Sequence, residues 1–366
     1  MTRTAAQKYR IYLDLTHLGR HITGIERIAI EQFERVPFEG AGVHPIRSSG
    51  VFSMIFKQQI LLPLLALVHP KARFMFPGFP PSPVFALMRE RVVLYVHDTF
   101  LLTRRADLSL KARLYMAPGF KIAVKRLKHF LVNSEKTRGD LEDYAPADAS
   151  IKLYRPSVAN VFGLTSTARS SQPDTAEPLR LVSLGTVEPR KNYRAALAIL
   201  DALRQSFDDK AELHIIGREG WGEDSQRLKA HPGVTVHGYL ATEDVRRIMD
   251  SADVYLCTSH DEGLGLPLLE AQFAGLPVAA PDQPVFREVL GSSAAFINPA
   301  DAASSASTLV ALVSKPGWRA AAAKSAFANV ARWNALAASD LAVTRLLFAK
   351  TAPGEAPAPQ ATHSIT

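Results

Sequence analysis

The sequence predicts an α/β protein made of two doubly wound, Rossmann-like parallel-sheet domains. Three observations carry that expectation. The chain has 366 residues, and a prior of about 150 residues per domain gives two. Strand-type and helix-type runs alternate in both halves, the order that builds a parallel sheet with helical crossovers. A stretch at 163–178, GLTSTARSSQPDTAEP, is rich in Ser, Thr, Ala and Pro and separates the two series. The expected division is 1–165 for the first domain, 166–178 for a linker and 179–330 for the second domain. A C-terminal helix at 331–350 and a disordered tail at 351–366 follow.

Each element has its own warrant. Tyr9 to Leu15 alternates Arg10, Tyr12 and Asp14 with Ile11, Leu13 and Leu15, which is strand periodicity. A loop with Gly19 and Gly24 leads to a helix over Ile25 to Val36. Val92 to Val96 and His129 to Val132 are apolar strands ending in His97-Asp98 and Asn133-Ser134, and Glu135 to Tyr144 is a helix. In the second half the strands are Leu179 to Leu184, Glu212 to Ile216, Val234 to Val236, Val254 to Cys257 and Pro277 to Ala279. Helices are expected over Tyr193 to Gln205, Thr242 to Ser251 and Pro267 to Ala274, and over the Ala-rich segment from Ala302 to Lys350. Short strands apolar on both faces belong to a sheet covered on both sides.

Composition narrows the function. Hydrophobic residues make up 47% and charged residues 21%, as in a soluble globular protein. The net charge of 43 − 35 = +8 is uneven. Residues 1–165 carry 24 basic and 13 acidic side chains (+11), and residues 166–366 carry 19 and 22 (−3). An anionic partner is expected for the first half. The single cysteine, Cys257, excludes an internal disulfide and a thiolate metal cluster and fits a reducing compartment. No secretory h-region follows the basic N-terminal residues. The apolar run Ile60 to Val68 is about half the ~20 residues of a membrane span, and Pro63 interrupts it. A cytoplasmic protein with at most peripheral membrane contact is expected.

Two segments carry chemistry. In TSHDEGLGLPLLEAQFAGLPV, residues 258–278, a strand ends at Cys257 and a loop brings Glu262, Gly263 and Gly265. Pro267 then occupies the first helical turn, its favoured place. Amides at such a helix start, beside small glycines, make an anion site. Glu262 and Glu270 flank that site, where hydroxyl groups of a sugar or ribose are the natural partners for a carboxylate. Alone, each glutamate favours the plainer reading of a surface residue on an ordinary strand–loop–helix, and Gly263-Leu264-Gly265 lacks the third glycine of a dinucleotide fingerprint. In Gly185-Thr-Val-Glu188-Pro-Arg190-Lys191-Asn192, two adjacent cations precede a helix, where its dipole disfavours them unless an anion is near. A solvated surface pair is the alternative. The chain has no Asp-x-Asp sequence for a divalent ion, and its histidines show no metal-ligand spacing.

GTVEPRKN, followed by two glutamates separated by seven residues in DEGLGLPLLEA, resembles the retaining glycosyltransferases of family 4, whose fold is GT-B, bacterial mannosyltransferases among them. The likeness extends to Tyr95-Val-His97-Asp98, Asn133-Ser134-Glu-Lys-Thr-Arg and Thr23-Gly24-Ile25-Glu26-Arg27, and so covers most of 9–295. It implies two domains facing across a cleft that holds a nucleotide sugar as co-substrate. With no Asp-x-Asp, and with Arg190, Lys191 and a helix terminus able to supply the positive field, neither a metal nor a cofactor is expected. On this resemblance Glu270 binds the ribose, and Glu262 with Gly263, Leu264, Gly265 and Leu266 holds the donor sugar. Arg190 and Lys191 neutralise the diphosphate, and His97 faces the donor sugar and acceptor. Gly24 approaches the phosphates from the first domain, and the base lies near Gly217 to Trp221. Asn133 stands where the family often has an apolar residue.

The expected reaction is hexose transfer, with a lean to GDP-mannose from the EPRKN sequence. The acceptor would be a glycan, carried on a polyprenyl diphosphate, in bacterial surface polysaccharide synthesis. From Arg104 to Lys128, eight basic residues and one acid interleave with apolar ones, so 104–128 is a candidate contact with an anionic membrane, equally readable as a solvated face. The apolar segment Val51 to Val68 is a candidate second contact. Two rivals stand beside this reading: a nucleotide-sugar epimerase of the same fold, and a non-enzymatic nucleic-acid-binding protein accounting for the +11 half. The latter lacks any recognisable nucleic-acid module.

Overall fold

The structure is a computed structural model and describes residues 9–18, 24–35, 38, 41–110, 112–165 and 178–350. Most of the expected linker and the whole of the tail at 351–366 lie outside the described residues.

Among the described residues, twelve strands form two six-stranded sheets, parallel throughout. The first contains β1 (Tyr9–Leu15), β2 (Ala41–Arg47), β3 (Arg73–Phe76), β4 (Val92–Val96), β5 (His129–Val132) and β6 (Ser150–Leu153), in the order β2-β1-β3-β4-β5-β6. The second contains β7 (Leu179–Leu184), β8 (Ala211–Ile216), β9 (Val234–Gly238), β10 (Val254–Leu256), β11 (Val278–Pro281) and β12 (Ala294–Ile297), in the order β12-β11-β10-β7-β8-β9. Each order reverses once, between β1 and β3 and between β7 and β10. Crevices at such reversals, beyond the carboxyl ends of the strands, are where open α/β sheets bind ligands.

Three apolar cores explain why the sheets are covered. One lies on the outer face of the first sheet, around Tyr12, Phe74, Phe85, Phe120 and Val124. Another lies on the outer face of the second, around Leu181, Ile199, Leu213 and Leu309. The third is shared. Phe33, Tyr95 and Tyr154 from the first half join Tyr255, Leu264, Leu266 and Trp333 from the second.

Tyr12 and Asp14 are both buried, because the helical segment Val51–Val68 covers that face of β1 and its Gln58 donates to Asp14 Oδ2 at 3.1 Å. Several details differ from the sequence reading. Pro63 does not interrupt that segment. A wide π turn at Lys57–Leu61, with the Leu62 amide donating to the Lys57 carbonyl, immediately precedes it, and such turns accommodate local irregularity without ending a helix. The strands β2, β3, β6 and β12 were not anticipated. β2 contains Pro45, tolerable because this edge strand pairs only with β1. The expected C-terminal helix starts earlier, at Trp318, and runs to Lys350. It lies against the chain just beyond β6: Trp333 Nε1 donates to the Pro156 carbonyl at 2.9 Å, and Asp340 accepts from Arg155 at 2.9 Å.

The stretch 104–128 is not one amphipathic helix. It divides into a 3₁₀ turn at Arg105–Asp107, a π turn at Ala112–Met116 and a helix at Ala117–Arg126.

Candidate active site between the two sheets

The second sheet's reversal point lies between β7 and β10, and both chemistry-bearing segments leave from there. After β7 the chain makes a 3₁₀ turn at Pro189–Lys191 and enters the helix Tyr193–Ser206 through Asn192, whose φ is 54°. Thr258, just beyond β10, secures this turn by donating to the carbonyls of Lys191 and Asn192, both at 3.0 Å. The loop after β10 reaches Gly265, at φ 87°, and turns into the helix Leu266–Ala271 with Pro267 in its first turn. A left-handed backbone there favours glycine.

The two segments meet in a buried charge cluster. Arg190 Nη1 donates to Glu262 Oε2 at 2.7 Å, and Lys191 Nζ donates to Glu262 Oε1 at 2.7 Å. Ser259 Oγ also donates to Glu262, at 2.8 Å. Arg190 Nη2 reaches Glu188 at 2.6 Å, and its guanidinium lies 4.9 Å from the Phe100 ring of the first half. Burial opposes the charge on Glu262, but Lys191 and Arg190 outweigh it and hold its pKa down at about 2. Arg190 is likewise held above its ordinary value by Glu262 and Glu188, against the cost of its burial. The glutamate expected to hold sugar hydroxyls is thus the residue that holds both cations.

The first half meets this loop closely. The His97 carbonyl accepts from Asn133 Nδ2 at 2.7 Å. A Cβ on Gly263 would lie 2.2 Å from that same carbonyl, so only glycine permits the approach. Ser134 Oγ donates to the Gly263 carbonyl at 2.7 Å, and Lys136 pairs with Asp261 at 3.0 Å. Asn133 is therefore no neutral departure: it fixes the backbone that receives Gly263. His97 Nε2 donates to the Pro77 carbonyl at 2.6 Å, which sets the proton on Nε2. Burial lowers its pKa to about 4, so the ring is neutral near neutral pH.

Two cavities flank the cluster. One, of about 270 Å³, is lined by His97, Asp98, Phe100, Arg104, Glu188 and Arg190, with Leu108, Met116 and Phe120 deeper in the first half. Trp221, whose Nε1 donates to the Asp107 carbonyl at 2.9 Å, lines it from the second half. The other, of about 480 Å³, is lined by Gly24, Arg27, Gly185, Gly217, Leu266 and Glu270. Gly24 faces Leu266 across it, a Cβ there lying 3.6 Å from Leu266 Cδ1. Buried Glu270 is ion-paired with Arg27 from the first half. Burial raises the pKa of Glu270, and Arg27 works against that rise.

The residues singled out from the sequence thus gather at one boundary but not in one cavity. His97 and Arg190 line the smaller one; Gly24, Gly217, Leu266 and Glu270 line the larger; Lys191, Glu262, Gly263, Leu264 and Gly265 line neither. The loop Gly217 to Trp221 is shared by both cavities. Arg27, Glu188, Phe100 and Ser259 were not assigned roles beforehand. Arg27 and Glu188 stand inside quoted motifs, GIER and GTVEPRKN, so the signal was present. Ser259 likewise stands inside the quoted segment 258–278, whereas nothing in the sequence marks Phe100.

A two-sheet α/β chain with its site at the facing reversal points has the GT-B architecture. A solved sucrose-phosphate synthase from Thermosynechococcus elongatus shares this fold, with a TM-score of 0.66 over 94% of this chain and 100% of its own, at 15% identity. Residues 178–315 match the family described as Glycosyl transferases group 1. The chain is 31% identical over 138 residues to the serotype-specific mannosyltransferase WbdA of Escherichia coli, covering 34% of this chain and 17% of that protein. It is 23% identical over 301 residues to the O-antigen chain mannosyltransferase RfbU of Salmonella typhimurium, covering 77% of this chain and 80% of that one. The chain thus spans about a sixth of WbdA's length and four-fifths of RfbU's.

Proposed function

We propose that the chain is a retaining glycosyltransferase that moves a hexose from a nucleoside diphosphate sugar to a glycan acceptor carried on a lipid. The observation that carries this reading is the Arg190–Glu262–Lys191 cluster at the β7/β10 reversal, set between a cavity holding Glu270 and one holding His97. On this reading the larger cavity takes the nucleotide, with Glu270 on the ribose, Gly217 near the base and Gly24 near the phosphates. The smaller cavity takes the acceptor. The donor sugar lies between them, held by Glu262 and the Gly263, Leu264, Gly265 and Leu266 backbone beside His97.

In the reaction the bond between the anomeric carbon and the diphosphate oxygen breaks, and its electron pair goes to that oxygen. The acceptor hydroxyl oxygen bonds to the same face of the anomeric carbon and gives its proton to the departing diphosphate. Negative charge grows on the diphosphate, and Arg190 and Lys191 are placed to stabilise it. Two fixed cations supply this field without a metal ion, so a chelator should leave the rate unchanged. The likeness to the mannosyltransferases WbdA and RfbU supports mannose as the transferred hexose, and the EPRKN sequence leans to GDP-mannose as donor. RfbU's O-antigen role favours bacterial surface polysaccharide synthesis. Residues 1–165 then form the acceptor-side domain, 166–178 the linker and 179–330 the donor domain. The helix from Trp318 returns to the first domain, and the enzyme works in the cytoplasm at the inner face of the membrane, with 104–128 near the lipid.

The test is a donor screen with GDP-mannose, UDP-glucose and UDP-N-acetylglucosamine against a lipid-linked oligosaccharide acceptor, with product anomers assigned by NMR. Transfer with retention is the expected result. Isomerised donor in the absence of acceptor would instead mark an epimerase. Steeply salt-dependent binding to generic DNA, with no nucleotide binding, would mark a nucleic-acid-binding protein.

A further inference from the structure

The segment Val51–Val68 breaks the ordinary rule for a surface helix. Met54, Gln58, Leu62 and Ala66 recur every fourth residue and are buried against the first sheet. The opposite side should be polar. Instead it presents Phe52, Phe56, Ile60, Leu64, Leu67 and Val68, with Phe52 91% and Val68 69% exposed. The next two elements of the same layer continue this surface. Leu87, on the 3₁₀ segment Pro83–Arg91, is 87% exposed, and Leu110 and Leu114 are exposed on the stretch that follows β4. Of the seventeen large apolar side chains exposed among the described residues, twelve belong to 51–122 on this one layer. Scattered apolar residues need no explanation, but a contiguous patch does.

Charge identifies the partner. Residues 51–73 contain Lys57, Lys71 and Arg73 and no acid, and residues 108–128 contain six basic residues and no acid. Some of this charge is spent internally, since Lys128 pairs with Glu90 at 2.9 Å. Lys121 and Lys125 line a surface cleft with Arg113 and no carboxylate. An apolar surface edged by more cations than acids suits the surface of an anionic phospholipid bilayer. Length and composition alone would let Val51–Val68 cross a membrane. Its buried side rules this out in the folded protein, because Gln58 donates to Asp14 at 3.1 Å and to Thr16 at 2.8 Å.

We propose that the outer layer of the first sheet is a bilayer-docking face on which Val51–Val68 lies in the membrane plane as the main insertion element, with Leu87, Leu110 and Leu114 as its margin. This changes the emphasis within 104–128, where Leu110, Leu114 and Ile122 are the large apolar residues left exposed. The turn from Arg104 to Met116 has two sides. Arg104, Leu108 and Met116 line the 270 Å³ cavity beside His97, and Leu110 and Leu114 face outward. A lipid-linked acceptor entering from the bilayer would have a short path to that cavity. The docking face rests on the transferase reading only for this use.

Flotation of the full chain with vesicles tests it, with no nucleotide present, so failure of the transferase reading would not affect the result. Vesicles of 70% phosphatidylcholine and 30% phosphatidylglycerol should carry the protein up, vesicles of phosphatidylcholine alone should carry at least ~5-fold less, and 0.5 M salt should weaken the first. The triple variant Phe52→Ser, Phe56→Ser, Leu67→Ser changes only exposed positions and should lose at least ~10-fold in vesicle binding. Light scattering on the same samples reads the oligomeric state. Wild type that ignores anionic vesicles, or a triple variant that binds them equally well, overturns the proposal. So does a stable dimer that the triple variant dissociates, which would make the face an interface between copies.

Discussion

Replacing Arg190 by alanine separates the structural from the chemical part of the charge cluster. The substitution removes the bonds to Glu262 at 2.7 Å, to Glu188 at 2.6 Å and to the Asp261 carbonyl at 2.9 Å. Breaking a buried ion pair costs about 3–5 kcal/mol when it leaves a charge uncompensated. Here Glu262 keeps Lys191 at 2.7 Å and Ser259 at 2.8 Å, and the Arg190 side chain retains 17% exposure. The expected loss of stability is therefore smaller, about 1–2 kcal/mol, carried mainly by the orphaned Glu188. The effect on the reaction should be larger. A unit charge ~4 Å from a developing diphosphate charge, at an effective dielectric of ~20, is worth about 4 kcal/mol. That corresponds to roughly a thousandfold in kcat/KM. Melting curves and initial transfer rates with the donor found in the screen measure both parts on one preparation. Wild-type rates from Arg190→Ala would refute the reasoning, and so would a loss of rate restored fully by cooling the variant to where it is folded.

Other outcomes follow from the same geometry. Gly263→Ala places a Cβ 2.2 Å from the His97 carbonyl, where backbone must move; it should lower the melting temperature and the transfer rate together, whereas Gly139→Ala, with open space around its Cβ, should lower neither. Glu270→Ala should weaken nucleoside diphosphate binding at least ~10-fold by calorimetry, since it removes a charged hydrogen-bond acceptor for the ribose. Acidification should destabilise the fold in two stages. His97 has its folded pKa lowered from 6.5 to about 4, so its contribution is complete above pH 6.5 and is lost as pH falls towards 4. Glu262, lowered from 4.5 to about 2, adds a loss below pH 4.5, and denaturant midpoints between pH 7 and 3 read both. Trp333→Ala empties a fully buried site and frees the Pro156 carbonyl, at a cost of about 3–5 kcal/mol in chemical denaturation.

Much of the fold was legible because the central strands carry the signal. Val92 to Val96 and Leu179 to Leu184 are apolar on both faces, so their position inside a covered sheet follows from composition. The strands that escaped notice, β2, β3, β6 and β12, include both edges of the first sheet and one edge of the second, or are as short as four residues. Edge strands need fewer apolar residues, and His44 and Pro45 in β2 mask its periodicity. The alternation in Tyr9–Leu15 shows a strand but not that a helix forty residues later covers Tyr12 and Asp14. The outward face of that helix was hidden for the same reason: only tertiary packing tells which side of an all-apolar segment is spare.

The candidate site was legible by position and less so by partnership. The motifs placed Arg190, Lys191, Glu262 and Glu270 at the carboxyl ends of neighbouring strands, which is a matter of local chain geometry. That Glu262 holds both cations, and that Arg27 reaches Glu270 from the first half, depends on how two sheets come together. Asn133 shows the same limit. Its side chain serves the backbone of His97, and that backbone admits Gly263 from the other sheet.

The central claim is that this boundary between the sheets holds a nucleoside diphosphate between Glu270 and the Arg190–Lys191 pair. Titration calorimetry of the wild-type chain with GDP, UDP and ADP in the presence of a chelator tests it most directly. The account predicts saturable one-to-one binding of one of the three, weakened at least ~10-fold in both Arg190→Ala and Glu270→Ala. Wild-type protein that binds none of them, or variants that bind as wild type does, would contradict it.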